Sequence, residues 1–124
     1  MKTLYKHGPL KPNIKARWLK ALRSGKYQQG KGELRSRDNK FCCLGVLCDL
    51  YAEDHGIEWD TLPGGFFTFM DHTGLLPREV KNWAGFKFPD GGGLVIGTIR
   101  NTIVEHNDAG VPFSELADLI EEQL

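Results

Sequence analysis

No apolar run in this sequence comes near the roughly 20 residues that a membrane-spanning helix needs, so no membrane span is expected. The first residues spread their lysines among Pro9 and Pro12 with no apolar run behind them, and no signal peptide is expected there. Cysteine is scarce and odd in number. Cys42, Cys43 and Cys48 lie close together in an apolar stretch, which reads as reduced core thiols of a cytoplasmic protein and not as a disulfide framework. A Cys-Cys-x4-Cys cluster lacks the two-residue spacing of zinc ligands, and His55, His72 and His106 are scattered, so no metal is expected. Phosphate-loop signatures are missing as well: Gly30-Lys31-Gly32 has neither the spacing nor the following Ser or Thr, and Gly91 to Gly93 has no lysine. There is no dinucleotide fingerprint, no nucleophile elbow around Ser24, Ser36 or Ser114, and no His-Glu-x-x-His. No cofactor follows from the residues, and none of them is assigned a catalytic role.

What the chain does have is a lopsided distribution of charge. Its 16 Lys and Arg balance 16 Asp and Glu overall. Twelve of the cations but only two of the acids fall in residues 1–41, a net +10, so the rest of the chain carries −10. Two readings follow. The basic segment, interleaved with Trp18, Tyr27, Gln28 and Gln29, holds a phosphate-bearing, stackable ligand; or it packs on the acidic remainder, within one subunit or across a homo-oligomer.

A length of 124 residues predicts one domain with one core, residues 1–124. Helical spacing of Ile14, Trp18, Ala21 and Leu22 predicts a helix from Pro12 to Ser24, with Lys15, Arg17, Lys20 and Arg23 on its other side and Gly25 as its stop. Trp18 shares the phase of Ile14 and Leu22 and is assigned to the core. Lys26 to Lys40 reads as two short strands or two arms of an ordered loop. Cys43 to His55 reads as a buried helix ended by Gly56. Phe66 to Met70 reads as a strand, Asp71 to Gly74 as a turn, and Pro77 to Ala84 as a short helix. Between Leu94 and Val104 the β-branched residues argue for strand, while Ile96, Ile99 and Ile103 fit helical spacing; helix is the expectation. The last helix starts with Ser114 as its cap and carries Phe113, Leu116, Ala117, Ile120 and Leu124 in one stripe. Helices flanking short strands make the class α+β, with a small antiparallel sheet.

The candidate site lies just past the first helix. Arg23, Lys26, Lys31 and Arg35 bracket a glycine-bearing turn, where arginine can grip phosphate oxygens bidentately and backbone amides can approach a ligand. Tyr27 would stack and Gln29 would supply polar selectivity. Asn107 and Asp108 are secondary candidates, since such a pair also ends a helix through local backbone hydrogen bonds.

The run from Arg17-Trp18-Leu19-Lys20-Ala21-Leu22-Arg23-Ser24-Gly25-Lys26-Tyr27 through Gly32, continuing to Phe41-Cys42-Cys43-Leu44-Gly45-Val46-Leu47-Cys48-Asp49-Leu50-Tyr51, resembles a family of small proteins encoded by phages and prophages. Leu75-Leu76-Pro77, Trp83, His106-Asn107-Asp108-Ala109-Gly110 and Leu116-Ala117-Asp118-Leu119-Ile120-Glu121 extend the resemblance over nearly the whole chain. It implies a phage origin. For a small protein without a virion signature, such an origin leads to the expectation of interference with host defence in the host cytoplasm. The form expected is a non-catalytic sponge: a homo-oligomer sequestering an anionic nucleotide-derived signal, such as a cyclic ADP-ribose isomer or a cyclic oligonucleotide. Sequestration needs only ground-state contact, which suits a chain without catalytic motifs. A nucleotide-cleaving enzyme and a module that inhibits a host protein remain the alternatives. Nucleic acid is not the expected partner, because the last helix carries four acids.

Overall fold

Ile14, Trp18 and Leu22 recur at four-residue intervals, so a helix through them turns one apolar stripe inward. In the computed structural model, which describes residues 10–87, 89–90, 92–96 and 99–124, that helix is α1, Pro12–Arg23. Pro12 sits in its first turn, where a missing N–H costs nothing, and Ile14, Trp18, Leu19 and Leu22 are buried. Helix α2, Cys43–His55, is the centre of the molecule, with Cys43 to Cys48 and Leu50 to Ala52 all buried. It ends at Gly56, whose φ of 64° is a left-handed value that glycine adopts without strain. Trp18 joins the two helices: its indole N–H donates to the Cys43 carbonyl at 2.9 Å, and its ring meets Phe86 edge-on.

A two-residue ladder pairs β1, Asp60–Thr61, with β2, Phe67–Thr68. Helix α3, Arg78–Ala84, follows and buries Val80 and Ala84. Strands β3, Gly92–Ile96, and β4, Ile99–Thr102, then form an antiparallel pair that sets Val95 opposite Arg100 and Ile96 opposite Ile99. This corrects the helix expected from Leu94 to Val104. β-Branched residues favour the pleated conformation, and here that preference prevails over a spacing that fits a helix only loosely. Helix begins only at Ile103, because Thr102 and Glu105 form a reciprocal capping box: Thr102 Oγ1 accepts from the Glu105 N–H, and a Glu105 carboxylate oxygen accepts from the Thr102 N–H. The helix so started, α4, is Ile103–Asp108, and α5 is Phe113–Gln123. Ser114 lies inside the first turn of α5 and does not cap it; the preceding position is Pro112, which has no side chain for the task.

Helix α1 packs on α5 and α2, and α4 is wedged between α2 and α5. The five helices among the described residues, around one core and with antiparallel strand pairs, make an α+β domain. No described helix is long and apolar enough to cross a membrane.

Cys42, Cys43 and Cys48 are unpaired and buried in this core. Burial pushes the Cys42 thiol up to about 11 and raises Cys43 and Cys48 as well, because a thiolate there would be stripped of water. Each thiol therefore stays protonated in the folded chain at a pH where the unfolded chain has released its proton. The stability this provides is complete below about pH 9 and is lost as pH rises through the folded value. Between pH 9 and 11 the loss for Cys42 alone is about 1.4 kcal/mol per pH unit. Urea midpoints should change little between pH 8 and 9 and fall between pH 9 and 10, and Cys42→Ala should flatten the fall; a level profile from pH 9 to 10 would contradict the burial.

Candidate functional site

The eight residues singled out from the sequence do not share one pocket. Arg23 reaches across to α5, where one guanidinium nitrogen donates to Asp118 and Glu121 at 2.7 Å each. Here the basic segment does meet the acidic remainder within one subunit, the second of the two readings of the charge asymmetry. Lys31 Nζ lies beside Gly110, and the Gly32 N–H donates to Asp108 at 3.0 Å. Gln29 is an internal strut. Its amide nitrogen donates to Asn107 Oδ1 and to the Val111 carbonyl, and its oxygen accepts from the Phe113 N–H, the first of α5. Asn107 is wholly buried and accepts from the Cys43 N–H, the first of α2. Gln29 and Asn107 thus cap two helices whose own preceding residues offer no side-chain cap.

Tyr27 is tied to α2. Its hydroxyl donates to Asp49 at 2.6 Å and its ring meets Phe41 edge-on. Desolvation, reinforced by Asp49, raises the phenol pKa well above its ordinary value, so it is a neutral donor throughout the physiological range.

Lys26 and Tyr27 nonetheless line a groove of about 400 Å³ between α1 and the flank of α2. Its cations are Arg17, Lys20 and Lys26, its single carboxylate is Glu53, and Ala21 and Leu50 form an apolar floor. Arg17 is tied to Asp54 at 2.6 Å, a bond that fixes its guanidinium and raises its pKa. Lys26 is 3.8 Å from Glu53, a loose and exposed pair. Lys20 has no ion pair among the described residues.

Beyond Glu53 the surface opens into a second cleft of about 370 Å³, walled by Arg35, Trp59, Phe67, Asp49, Glu53 and Glu58. Arg35 lies over the Phe67 ring at 3.9 Å and within 5.4 Å of the Phe41 and Trp59 ring centres, while its Nε donates to Asn39. Asp49 accepts from both Tyr27 and Trp59 Nε1, the latter at 3.0 Å, so its carboxylate is locked between two rings.

A family model, Domain of unknown function (DUF8296), matches residues 10–124. The chain belongs to that family. No curated protein and no solved structure matches it.

Within this DUF8296 domain, the residues that sequence reasoning passed over are Arg17 and Lys20. Their signal is present, since positions three apart on a helix lie side by side, but the apolar spacing places them only on the other side of the helix. Trp59, Phe67 and Asp49 carried no such signal; they meet through the ladder of β1 and β2 and the flank of α2. Among the domain's described residues no three His, Cys, Asp or Glu are placed to hold a metal ion. The cysteines are too deeply buried and too weakly acidic to act as nucleophiles.

Proposed function

We propose that the protein is a non-catalytic binder of an anionic, nucleotide-derived ligand, and that the groove between α1 and α2 takes the phosphates. The observation that carries this reading is the composition of that groove: three cations face one carboxylate, and only one of the three, Arg17, is held by a short ion pair. Lysines that keep their donors available suit phosphate oxygens, and an oriented arginine beside them adds a planar fork. On this reading the protein is phage-encoded, as its sequence resemblance implies, works as a homo-oligomer in the host cytoplasm, and sequesters an immune signal such as a cyclic ADP-ribose isomer or a cyclic oligonucleotide. Reduced interior thiols suit that compartment.

The test is thermal unfolding against ADP-ribose isomers, cyclic di- and trinucleotides, mononucleotides and short single-stranded DNA. A ligand at 100 times its dissociation constant adds about 2.7 kcal/mol, which raises the midpoint of a domain this size by roughly 10 °C. Lys20→Glu and Lys26→Glu should each abolish the shift. Arg23→Ala should leave it in place, because the partners of Arg23 are the acids of α5 and not a ligand. Ligand released by heat should be recovered intact; a cleaved product would make the protein an enzyme. A flat response to the whole panel would defeat the proposal.

A further inference from the structure

We infer that the cleft of Arg35, Trp59 and Phe67 is a nucleobase subsite selective for bases with an exocyclic amino group, continuous with the phosphate groove across Glu53. The inference rests on the reading of that groove given above. Glu53 lines both depressions, and the Tyr27 side chain on the groove side bonds directly to Asp49 on the cleft side. One ligand lying across Glu53 would therefore touch both.

The two depressions differ in sign. The groove has three cations to one acid; the cleft has Arg35 as its sole cation against Asp49, Glu53 and Glu58. Phosphates are repelled from the cleft and held in the groove, which gives a dipolar ligand a single orientation. What the cleft provides is flat surface, from the Trp59 ring and from the Arg35 guanidinium laid over Phe67, and acceptors. Aromatic rings and a guanidinium plane are the surfaces on which bases stack. Asp49 already accepts from Tyr27 and Trp59, whereas the carboxylates of Glu53 and Glu58 are exposed at the rim. An amino group can donate to such a carboxylate; a ring carbonyl in its place would face it unpaired. An organic cation is a poorer occupant, although acids and rings also attract cations, because Arg35 already covers the Phe67 face and lies near Phe41 and Trp59.

Calorimetric titration of the whole protein with pyrophosphate, adenosine diphosphate and inosine diphosphate tests this. Adenosine diphosphate should bind about tenfold tighter than inosine diphosphate, the size of one well-made polar contact, and inosine diphosphate, which keeps only the stacking, should lie between it and pyrophosphate. Glu58→Ala, at an exposed position, should cut adenosine diphosphate affinity toward that of pyrophosphate and leave pyrophosphate unchanged. Lys20→Glu should weaken all three. Adenosine diphosphate should quench a component of tryptophan emission that Trp59→Phe lacks, and pyrophosphate should not. Equal affinity for pyrophosphate and adenosine diphosphate, with Glu58→Ala silent, overturns the base subsite and leaves the phosphate groove standing. Failure of pyrophosphate to bind, or binding indifferent to Lys20→Glu, overturns the groove and the inference together.

Discussion

Asn107→Ala should be among the most damaging substitutions in this protein, lowering its stability by about 3 to 5 kcal/mol. The side chain is fully buried, uses all of its hydrogen-bonding capacity, and is the partner of the Cys43 N–H and of the Gly30 carbonyl. Oδ1 accepts from Gln29 Nε2 at 3.0 Å and from the Cys43 N–H at 3.2 Å; Nδ2 donates to the Gly30 carbonyl at 2.9 Å and to Asp108 at 3.1 Å. Truncation removes these bonds and leaves the buried first N–H of α2 and the Gly30 carbonyl short of a partner, while Gln29 keeps the Val111 carbonyl. An unmade bond of that kind costs about 1–3 kcal/mol, so these two, together with the lost bonds to Gln29 and Asp108 and the cavity left behind, reach the stated range. The thermal midpoint should drop by more than 10 °C. Asn107→Asp keeps the shape but puts a carboxylate against the Gly30 carbonyl and Asp108, so it too should destabilise. Its defect should shrink on acidification, because the protonated acid can donate as the amide did. Gln29→Ala combined with Asn107→Ala should cost less than the two singly, since both act in one network. If Asn107 instead contacted ligand from a preformed surface, its loss would weaken binding and leave the midpoint within a degree or two. That result would refute the structural role.

This network also shows which features could be read from sequence. Helix α1 was legible because its apolar positions repeat on one face, and α2 because an apolar run long enough for a helix ends at a glycine. Caps that come from elsewhere were not. Ser114 looked like the start of α5 from its neighbours alone, yet the group that satisfies the Phe113 N–H is Gln29, 84 positions away. Asn107 serves α2 across 64 positions in the same manner. No window of local sequence contains both partners. The strand pair after Asp90 lies between these cases. Thr102-Ile103-Val104-Glu105 is a capping-box pattern, and it would have placed the helix start after the β-branched run and not within it. Charge shows the same limit. The basic first third was plain from composition, but only the packing of α1 against α5 decides that Arg23 serves the fold, while Arg17 and Lys20 on the same helix line a groove. Local pattern determines which elements form; the pairing of elements determines which polar side chains remain for a ligand.

Gly45→Ala should be at least as severe as the loss of Asn107, for a steric reason. Position 45 lies in the first turn of α2, and within a helix alanine is ordinarily a better former than glycine by about 1 kcal/mol. Propensity alone would therefore predict stabilisation. Here a Cβ would sit 1.7 Å from the Leu34 carbonyl oxygen and 2.7 Å from its carbon, well inside contact distance. The obstacle is backbone and cannot rotate away. It is also held in place, since the same carbonyl accepts from the Cys42 N–H, the Leu34 N–H donates to the Thr73 carbonyl at 2.6 Å, and the Leu34 side chain is fully buried. To admit one methyl, the loop carrying Leu34 and Arg35 must lift off α2. That breaks these bonds and opens the core beneath Leu34. Overpacking of a well-filled core costs about 1–3 kcal/mol when side chains can adjust. A clash between two anchored backbones should exceed that range, so we expect a midpoint lowered by more than 10 °C or a chain that does not fold at all. Gly56→Ala provides the comparison. Its residue has nothing within 4 Å of a new Cβ, and its penalty is confined to the left-handed backbone, about 1 kcal/mol. Urea denaturation of both variants should separate them by several kcal/mol. Equal and small effects would mean that α2 and the Leu34 loop are not in backbone contact. Because that loop also sets Arg35 over Phe67, any folded fraction of Gly45→Ala should lose discrimination between adenosine and inosine diphosphate before it loses pyrophosphate binding.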